Sequence, residues 1–211
     1  MERLLCLVIG YAFGLIQTSY IIGKIKGIDI RDYGSGNAGT TNAMRVLGKK
    51  AGFLTFAVDA AKCVVAVIIT WNLFIGCEYD TMLKFYTTAG VILGHDFPFY
   101  LKFHGGKGIA ASVGMILAFA DIRLMVIAAL AFCIPYFITH YVSLGSLCLS
   151  LSFLVGIIIS GQMGCYPLSQ RYLTEMYILV AVLTAIAFIQ HRANIKRLAT
   201  GTERKMGVKK K

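Results

Sequence analysis

Apolar residues in this chain come in long runs separated by short polar stretches. The runs cover residues 4–22, 53–76, 85–101, 109–138, 142–160 and 173–190. A helix needs about 20 such residues to cross the hydrocarbon core of a bilayer, so counting each run once predicts six spans. The run 109–138 changes that count. As one helix it would be about 45 Å long, against a core of about 30 Å. Asp121 and Arg123 stand in its middle, and charged side chains are costly at the bilayer centre. A break there gives two short helices joined by a charged turn. The pattern therefore predicts an all-α integral membrane protein with seven transmembrane helices.

Charge sets the orientation. The chain has 21 Lys+Arg against 10 Asp+Glu, a formal +11. In a soluble protein this would raise nucleic-acid binding. In a chain that is 57% hydrophobic and only 15% charged, it marks a membrane face instead. With seven spans, sixteen of the cationic residues fall on one side, in the 23–50 loop, the 102–108 loop and the C-terminal tail. Arg3, Lys84, Arg123 and Arg171 fall on the other, and Lys62 lies inside a span. Six spans would carry the basic tail outside. The positive-inside tendency thus predicts an outside N-terminus and a cytoplasmic C-terminus. No cleavable signal is expected, because the first run leads directly into a polar loop.

Three prolines, 22 glycines and no low-complexity stretch predict a single membrane-embedded domain over residues 1–211. The six cysteines include no C-x-x-C pair, and Cys6, Cys63, Cys133 and Cys148 lie in apolar runs. They read as buried structural thiols, with no metal or redox site. Cys77 and Cys165 both fall on the outer side, where a disulfide is permitted.

Four polar segments carry candidate chemistry, all on the cytoplasmic side. The first holds Gly34, Ser35, Gly36, Asn37, Gly39, Thr40, Thr41, Asn42 and Arg45. Its glycines free backbone N–H groups to turn toward a ligand. Thr40 or Thr41 is expected to cap a short helix reaching Leu47, whose N-terminus would suit a phosphate. Arg45, one turn along, offers a bidentate guanidinium. The alternative is a Gly-rich turn before an amphipathic surface helix. Neither nucleotide-binding glycine pattern is present.

The second segment ends in Gly105-Gly106-Lys107-Gly108, where backbone N–H groups and a lysine meet at a helix start. The alternative is an interhelical turn with one snorkelling lysine. Pro98 should end the preceding helix. His95 and Asp96 are adjacent, so they diverge on a helix and suit structural roles. Asp59 and Lys62, three apart inside a span, can neutralise each other. The third segment contains Ser143, which suits a cap better than a nucleophile, and no G-x-S-x-G occurs. In the fourth, His191 and Asn194 are three apart and share a helix face, followed by Glu203 and Lys205. Sites at helix ends, without repeated halves or midplane breaks, favour a membrane-interface enzyme over a transporter.

These four segments, read in order, resemble the bacterial acyl-phosphate:glycerol-3-phosphate acyltransferases. The likeness rests on Gly34-Ser35-Gly36-Asn37 with Thr41-Asn42 and Arg45, Gly94-His95-x-Phe97-Pro98 through Gly105-Gly106-Lys107-Gly108, Tyr141-Val142-Ser143-Leu144, and His191-Arg192-x-Asn194-Ile195 through Glu203 and Lys205. It implies a seven-helix enzyme of the bacterial inner membrane with its active site facing the cytoplasm. The implied reaction moves a fatty acyl group from acyl phosphate to the 1-hydroxyl of glycerol 3-phosphate, giving lysophosphatidic acid and phosphate. Membrane lipids are further partners. No cofactor, metal or nucleic acid is implied.

The resemblance also implies catalytic roles for Ser35, Arg45, Lys107, His191 and Asn194. It implies substrate contacts at Gly34, Gly36, Asn37, Thr41, Asn42, Gly105, Gly106, Gly108, Ser143, Glu203 and Lys205. Ser35 and Gly36 N–H groups would cradle one phosphate, Arg45 and Lys107 would neutralise the two phosphate groups, and Glu203 and Lys205 would close the site from the tail. Three positions depart from the family pattern: Thr40 for Ala, His104 for Lys and His140 for Arg. The last two remove full charges beside the site. No H-x-x-x-x-D occurs in the chain. Without that base, the implied mechanism is substrate-assisted, with a phosphate oxygen taking the hydroxyl proton. The competing reading is an organic- or lipid-phosphate carrier without chemistry. Lys209 to Lys211 are expected to meet anionic headgroups.

Overall fold

In lipid a chain must satisfy its own backbone polar groups, and long apolar runs do so as helices. The computed structural model describes residues 1–207, and no strand occurs among them. Among the described residues ten helices follow one another: α1 Glu2–Gly14, α2 Thr18–Ile25, α3 Thr40–Val46, α4 Lys49–Phe74, α5 Asp80–Asp96, α6 Ile109–Phe119, α7 Ile122–Thr139, α8 Val142–Gln162, α9 Gln170–Gln190 and α10 Arg192–Ala199. Single 3-10 turns lie at Ile30–Asp32 and Phe99–Leu101. Five stretches are long and apolar enough to cross a membrane: Glu2–Ile25, α4, α7, α8 and α9. Helix α6 is apolar but shorter, and α5 has 17 residues. Large apolar side chains face outward along these helices, Phe53, Leu73, Phe137 and Ile178 among them, which suits a lipid surface.

The chain forms two compact units, Met1–Phe119 and a second beginning at Ala120. In the first, α1 packs along α5 through glycines on both helices. A Cβ at Gly10 would strike the Thr87 carbonyl oxygen, and one at Gly90 the Leu7 carbonyl oxygen. Gly14 and Gly94 are crowded in the same way by Val91 and Tyr11. Gly10-x-x-x-Gly14 and Gly90-x-x-x-Gly94 thus let two backbones touch, the small-residue packing favoured in membranes. Across α4 and α5, the Thr87 hydroxyl donates to the Thr70 hydroxyl at 2.8 Å.

The apolar run 4–22 is not one helix. It breaks at 15–17, between α1 and α2. The break exposes carbonyls that a buried lysine satisfies: Lys62 Nζ donates to Ile16 O at 2.6 Å and Gly14 O at 3.3 Å. The same ammonium pairs with Asp59 Oδ1 at 2.9 Å, as their spacing predicted. Gln17, fully buried, donates to His95 O at 2.9 Å. The signal missed was Gln17-Thr18-Ser19, three polar residues in succession inside an apolar run.

The 109–138 run does divide where its charges stand. Ala120 takes φ 52°, and Asp121 caps α7 by accepting the Arg123 N–H at 3.0 Å. In the second unit α8 packs between α7 and α9. Pro98 follows the end of α5 as expected. All six cysteines are free thiols, Cys77 and Cys165 included. The expected headgroup contacts of Lys209 to Lys211 lie outside the described residues.

Candidate active site

The glycine-rich segment folds around one asparagine. Asn42 is buried in α3, and its Nδ2 donates to Ile30 O at 3.1 Å and Tyr33 O at 3.0 Å. Its Oδ1 accepts the Ser35 N–H at 2.8 Å. Gly34 sits at φ 63°, and a Cβ there would collide with Asn42 Oδ1. The Gly36 N–H donates to Tyr33 O at 3.0 Å. Two expectations change here. The N–H groups of Ser35 and Gly36 are committed inside the loop rather than turned toward a ligand. Asn42, expected as a substrate contact, holds the loop's shape with all its amide atoms.

Helix α3 starts at Gly39 without a side-chain cap, so neither Thr40 nor Thr41 caps it. The N–H groups of Thr40, Thr41 and Asn42 precede the helical ladder, which Ala43 opens by bonding Gly39 O at 2.9 Å. Asn37 and Thr41 are half-buried, Ser35 is exposed, and Arg45 is exposed in the last turn of α3.

Arg31 was not singled out by spacing, yet it ties the loop together. It bonds Asp29 through Nε at 3.0 Å and a terminal nitrogen at 2.8 Å, and reaches Leu101 O at 3.1 Å. Its guanidinium also lies over an aromatic face, 5.3 Å from the Tyr20 ring centre. These bonds hold the Asp29 carboxyl down at about 2, against an ordinary 3.8.

The second segment is a turn clamped onto the end of α5. Gly105 N–H donates to Asp96 O at 3.1 Å and Gly106 N–H to His95 O at 2.9 Å. These N–H groups are therefore also engaged internally, against the expectation of a backbone phosphate nest. A Cβ at Gly106 would fall on the His95 ring, which explains a glycine there. Gly108 leads into α6, and Lys107 before it is half-buried. His104 is exposed, its ring bonded to Lys102 O at 2.5 Å.

In the second unit His191 is not mid-helix. It forms the joint between α9 and α10, at φ −93° and ψ 5°. Its Nδ1 lies 2.8 Å from Ala187 O. A carbonyl only accepts, so Nδ1 carries a proton. Asn194 Nδ2 donates to Glu203 Oε1 at 2.8 Å, and Arg197 Nε to Glu203 Oε2 at 2.8 Å. The tail is thereby folded onto α10. Lys205 Nζ lies 5.8 Å from the Tyr141 ring centre, and the Met206 N–H donates to His140 O at 2.9 Å. Ser143 is buried in the first turn of α8, and its hydroxyl finds no hydrogen-bond partner among the described residues.

A family model described as glycerol-3-phosphate acyltransferase matches residues 4–201. The chain belongs to the glycerol-3-phosphate acyltransferase family. A glycerol-3-phosphate acyltransferase of Clostridioides difficile (strain 630) is 44% identical over 207 residues, covering 96% of this chain and 95% of that protein. One from Thermoanaerobacter sp. (strain X514) is 39% identical over 210 residues, covering 99% and 98%. Among solved structures, the glycerol 3-phosphate form of PlsY (YgiH), an integral membrane glycerol 3-phosphate acyltransferase, matches with TM-score 0.84 and 31% identity over 98% of this chain and 96% of that one. Its lysophosphatidic acid form matches with TM-score 0.81, 30% identity and the same coverage.

This acyltransferase is thus an integral membrane protein of the family that the four segments resemble. Within the first unit, the structure gathers Gly34, Ser35, Gly36 and Asn42 into one hydrogen-bonded loop. The turn carrying Lys107 adjoins that loop, since the Ala38 N–H donates to Gly105 O at 3.4 Å. Within the second, it links Asn194 to Glu203 and brings Lys205 against the Tyr141 face. Of the residues that spacing missed, Gln17 acts through backbone carbonyls, and Arg31 through the Asp29 carboxylate and Leu101 O.

Proposed function

We propose that this acyltransferase moves a fatty acyl group from acyl phosphate to the 1-hydroxyl of glycerol 3-phosphate by direct transfer. The glycerol oxygen attacks the acyl carbonyl, the bond from that carbonyl carbon to the phosphate oxygen breaks, and phosphate leaves with the hydroxyl proton on one of its oxygens. The products are lysophosphatidic acid and phosphate. What carries the reading is that similar proteins were solved in glycerol 3-phosphate and lysophosphatidic acid forms. Those two molecules differ by one acyl group, and are acceptor and product.

The donor is argued from chemistry. An acyl phosphate arrives activated, so neither a covalent intermediate nor a dedicated base is required, in keeping with the missing H-x-x-x-x-D pattern. The protein's task is then proximity and electrostatic preorganisation. Arg45 and Lys107 neutralise phosphate, with the Ser35 hydroxyl and the first N–H groups of α3 beside them. His191 Nε2 accepts from a glycerol hydroxyl, and the Asn194 carbonyl oxygen assists. Glu203 holds the Asn194 amide, and Lys205 adds positive charge from the tail. In this reading residues 1–211 act as one membrane-embedded domain of seven spans in the inner membrane, N-terminus outside, with the site facing the cytoplasm.

The test supplies purified protein in lipid with glycerol 3-phosphate and one acyl donor at a time. Lysophosphatidate from acyl phosphate, and not from acyl thioesters, is the expected result. Product from thioesters alone would overturn the donor assignment. No product from any donor, with glycerol 3-phosphate still crossing the membrane, would make the protein a carrier.

A further inference from the structure

His95 is 2% exposed near the end of α5, and both its backbone and its ring meet the 105–108 turn. Its carbonyl accepts the Gly106 N–H at 2.9 Å and Gln17 Nε2 at 2.9 Å. Its ring lies against Gly106. A Cβ added there would fall on Nε2, with Cδ2 at 2.6 Å and Cε1 at 2.8 Å, and these are its three nearest atoms. Gly106 is not among the residues at positive φ. Its backbone conformation therefore permits a side chain, and it is the imidazole that denies the space.

The ring is held at its other nitrogen. Lys62 Nζ stands 3.0 Å from His95 Nδ1, and the same ammonium reaches Asp59 Oδ1 at 2.9 Å and Ile16 O at 2.6 Å. An ammonium only donates, so Nδ1 accepts. Lys62 thus anchors one edge of the imidazole, and the opposite edge meets the turn. A line of buried contacts runs from Asp59 through Lys62 and the His95 ring to Gly106. It continues into the glycine-rich loop, where the Ala38 N–H donates to Gly105 O at 3.4 Å.

We propose that His95 is a positioning residue for the 105–108 turn. Its ring, anchored by Lys62, is the floor on which Gly106 rests. It thereby fixes where the next residue, Lys107, stands relative to the loop bearing Ser35 and Arg45. The proposal rests on the reading of Lys107 as a phosphate ligand. His95 itself touches no substrate; it acts through the turn.

The experiment uses the full chain in lipid. It reads hydrogen exchange of the 103–108 amides, melting temperature and kcat/KM for glycerol 3-phosphate. Asparagine places an acceptor at the branch position of Nδ1 but lacks the outer edge of the ring. His95→Asn should therefore keep the Lys62 bond and melt like the parent. Its 103–108 amides should exchange several-fold faster, and its kcat/KM should fall about tenfold. Gly106→Ala should cost about a hundredfold in the parent. In a His95→Ala background the methyl has room, and the same change should cost only about threefold. Parent-like exchange at 103–108 in His95→Asn overturns the proposal. So does faster exchange with activity intact, or an equal cost of Gly106→Ala in both backgrounds. A His95→Asn protein that melts early, with α8 also exchanging faster, makes His95 a structural group and overturns it too. If His95→Ala does not fold, His95→Asn decides on its own. If the parent protein forms no lysophosphatidate, the proposed reaction fails, and exchange at 103–108 still decides whether His95 seats the turn.

Discussion

Asn42 accepts the Ser35 N–H through Oδ1 at 2.8 Å, so a side chain of α3 dictates the shape of the loop before it. The two donor bonds from its Nδ2 complete a three-point clasp on residues 30–35. Asn42→Asp keeps the acceptor but loses both donors and buries a charge. It should cost about 1–3 kcal/mol and most of the activity. Thermal unfolding in detergent, paired with the acyl-transfer assay, checks this. Unchanged melting would mean the clasp contributes nothing to the fold.

The α1–α5 crossing leaves no room for side chains. Gly90→Leu or Gly94→Leu should destabilise the protein by about 1–3 kcal/mol, whereas Val8→Leu on the exposed side of α1 should be neutral. Melting temperatures of the three variants decide it. Equal tolerance at all three positions would refute backbone contact.

Lys62 and Asp59 behave as a unit. Removing the lysine alone, as Lys62→Met, strands a buried carboxylate and two helix-break carbonyls, an expected loss of about 3–5 kcal/mol. Asp59→Asn with Lys62→Met should cost less than Lys62→Met alone. A double variant at least as unstable as the single would show that the carbonyls, not the carboxylate, set the cost.

Activity should separate from stability elsewhere. Arg45→Ala or Lys107→Ala is expected to lower kcat/KM by about a hundredfold or more with little change in melting. The Asp59→Asn, Lys62→Met double variant should lose far less activity. Equal losses would remove Arg45 and Lys107 from the roles proposed for them.

Acid sensitivity follows from Asp29. Its folded carboxyl titrates at about 2, below the ordinary 3.8, because Arg31 hydrogen-bonds the charged form. A depressed carboxylate adds stability above its unfolded value, and that stability disappears as pH falls from about 4 toward 2. The stability gap between the parent protein and Asp29→Asn should therefore be constant near neutral pH and close on acidification. A gap that widened in acid would reverse the sign of the argument.

Much of the helix order was legible because run length and charge spacing act locally. Asp121 and Arg123 marked the α6–α7 division correctly, and Pro98 stands just past the end of α5. The break at 15–17 was hidden: an apolar run reads as one helix unless its stranded carbonyls have partners, and those come from Lys62 and Gln17 reaching across the fold. The two glycine-bearing segments suggest ligand-facing N–H groups, but spacing cannot reveal that Asn42 and Tyr33 accept from two in the first segment and Asp96 and His95 from two in the second. His191 and Asn194 were found by spacing, but the joint between α9 and α10 and the grip of Glu203 on Asn194 depend on how the tail returns.

The Lys62 bonds to Gly14 O and Ile16 O also bear on how the protein is made. The N-terminal segment leaves the ribosome carrying two carbonyls whose partner is encoded 46 and 48 residues later. Its glycine-lined mate, α5, is synthesised later still. Helices α1 and α2 therefore reach their final shape only after both α4 and α5 have been made.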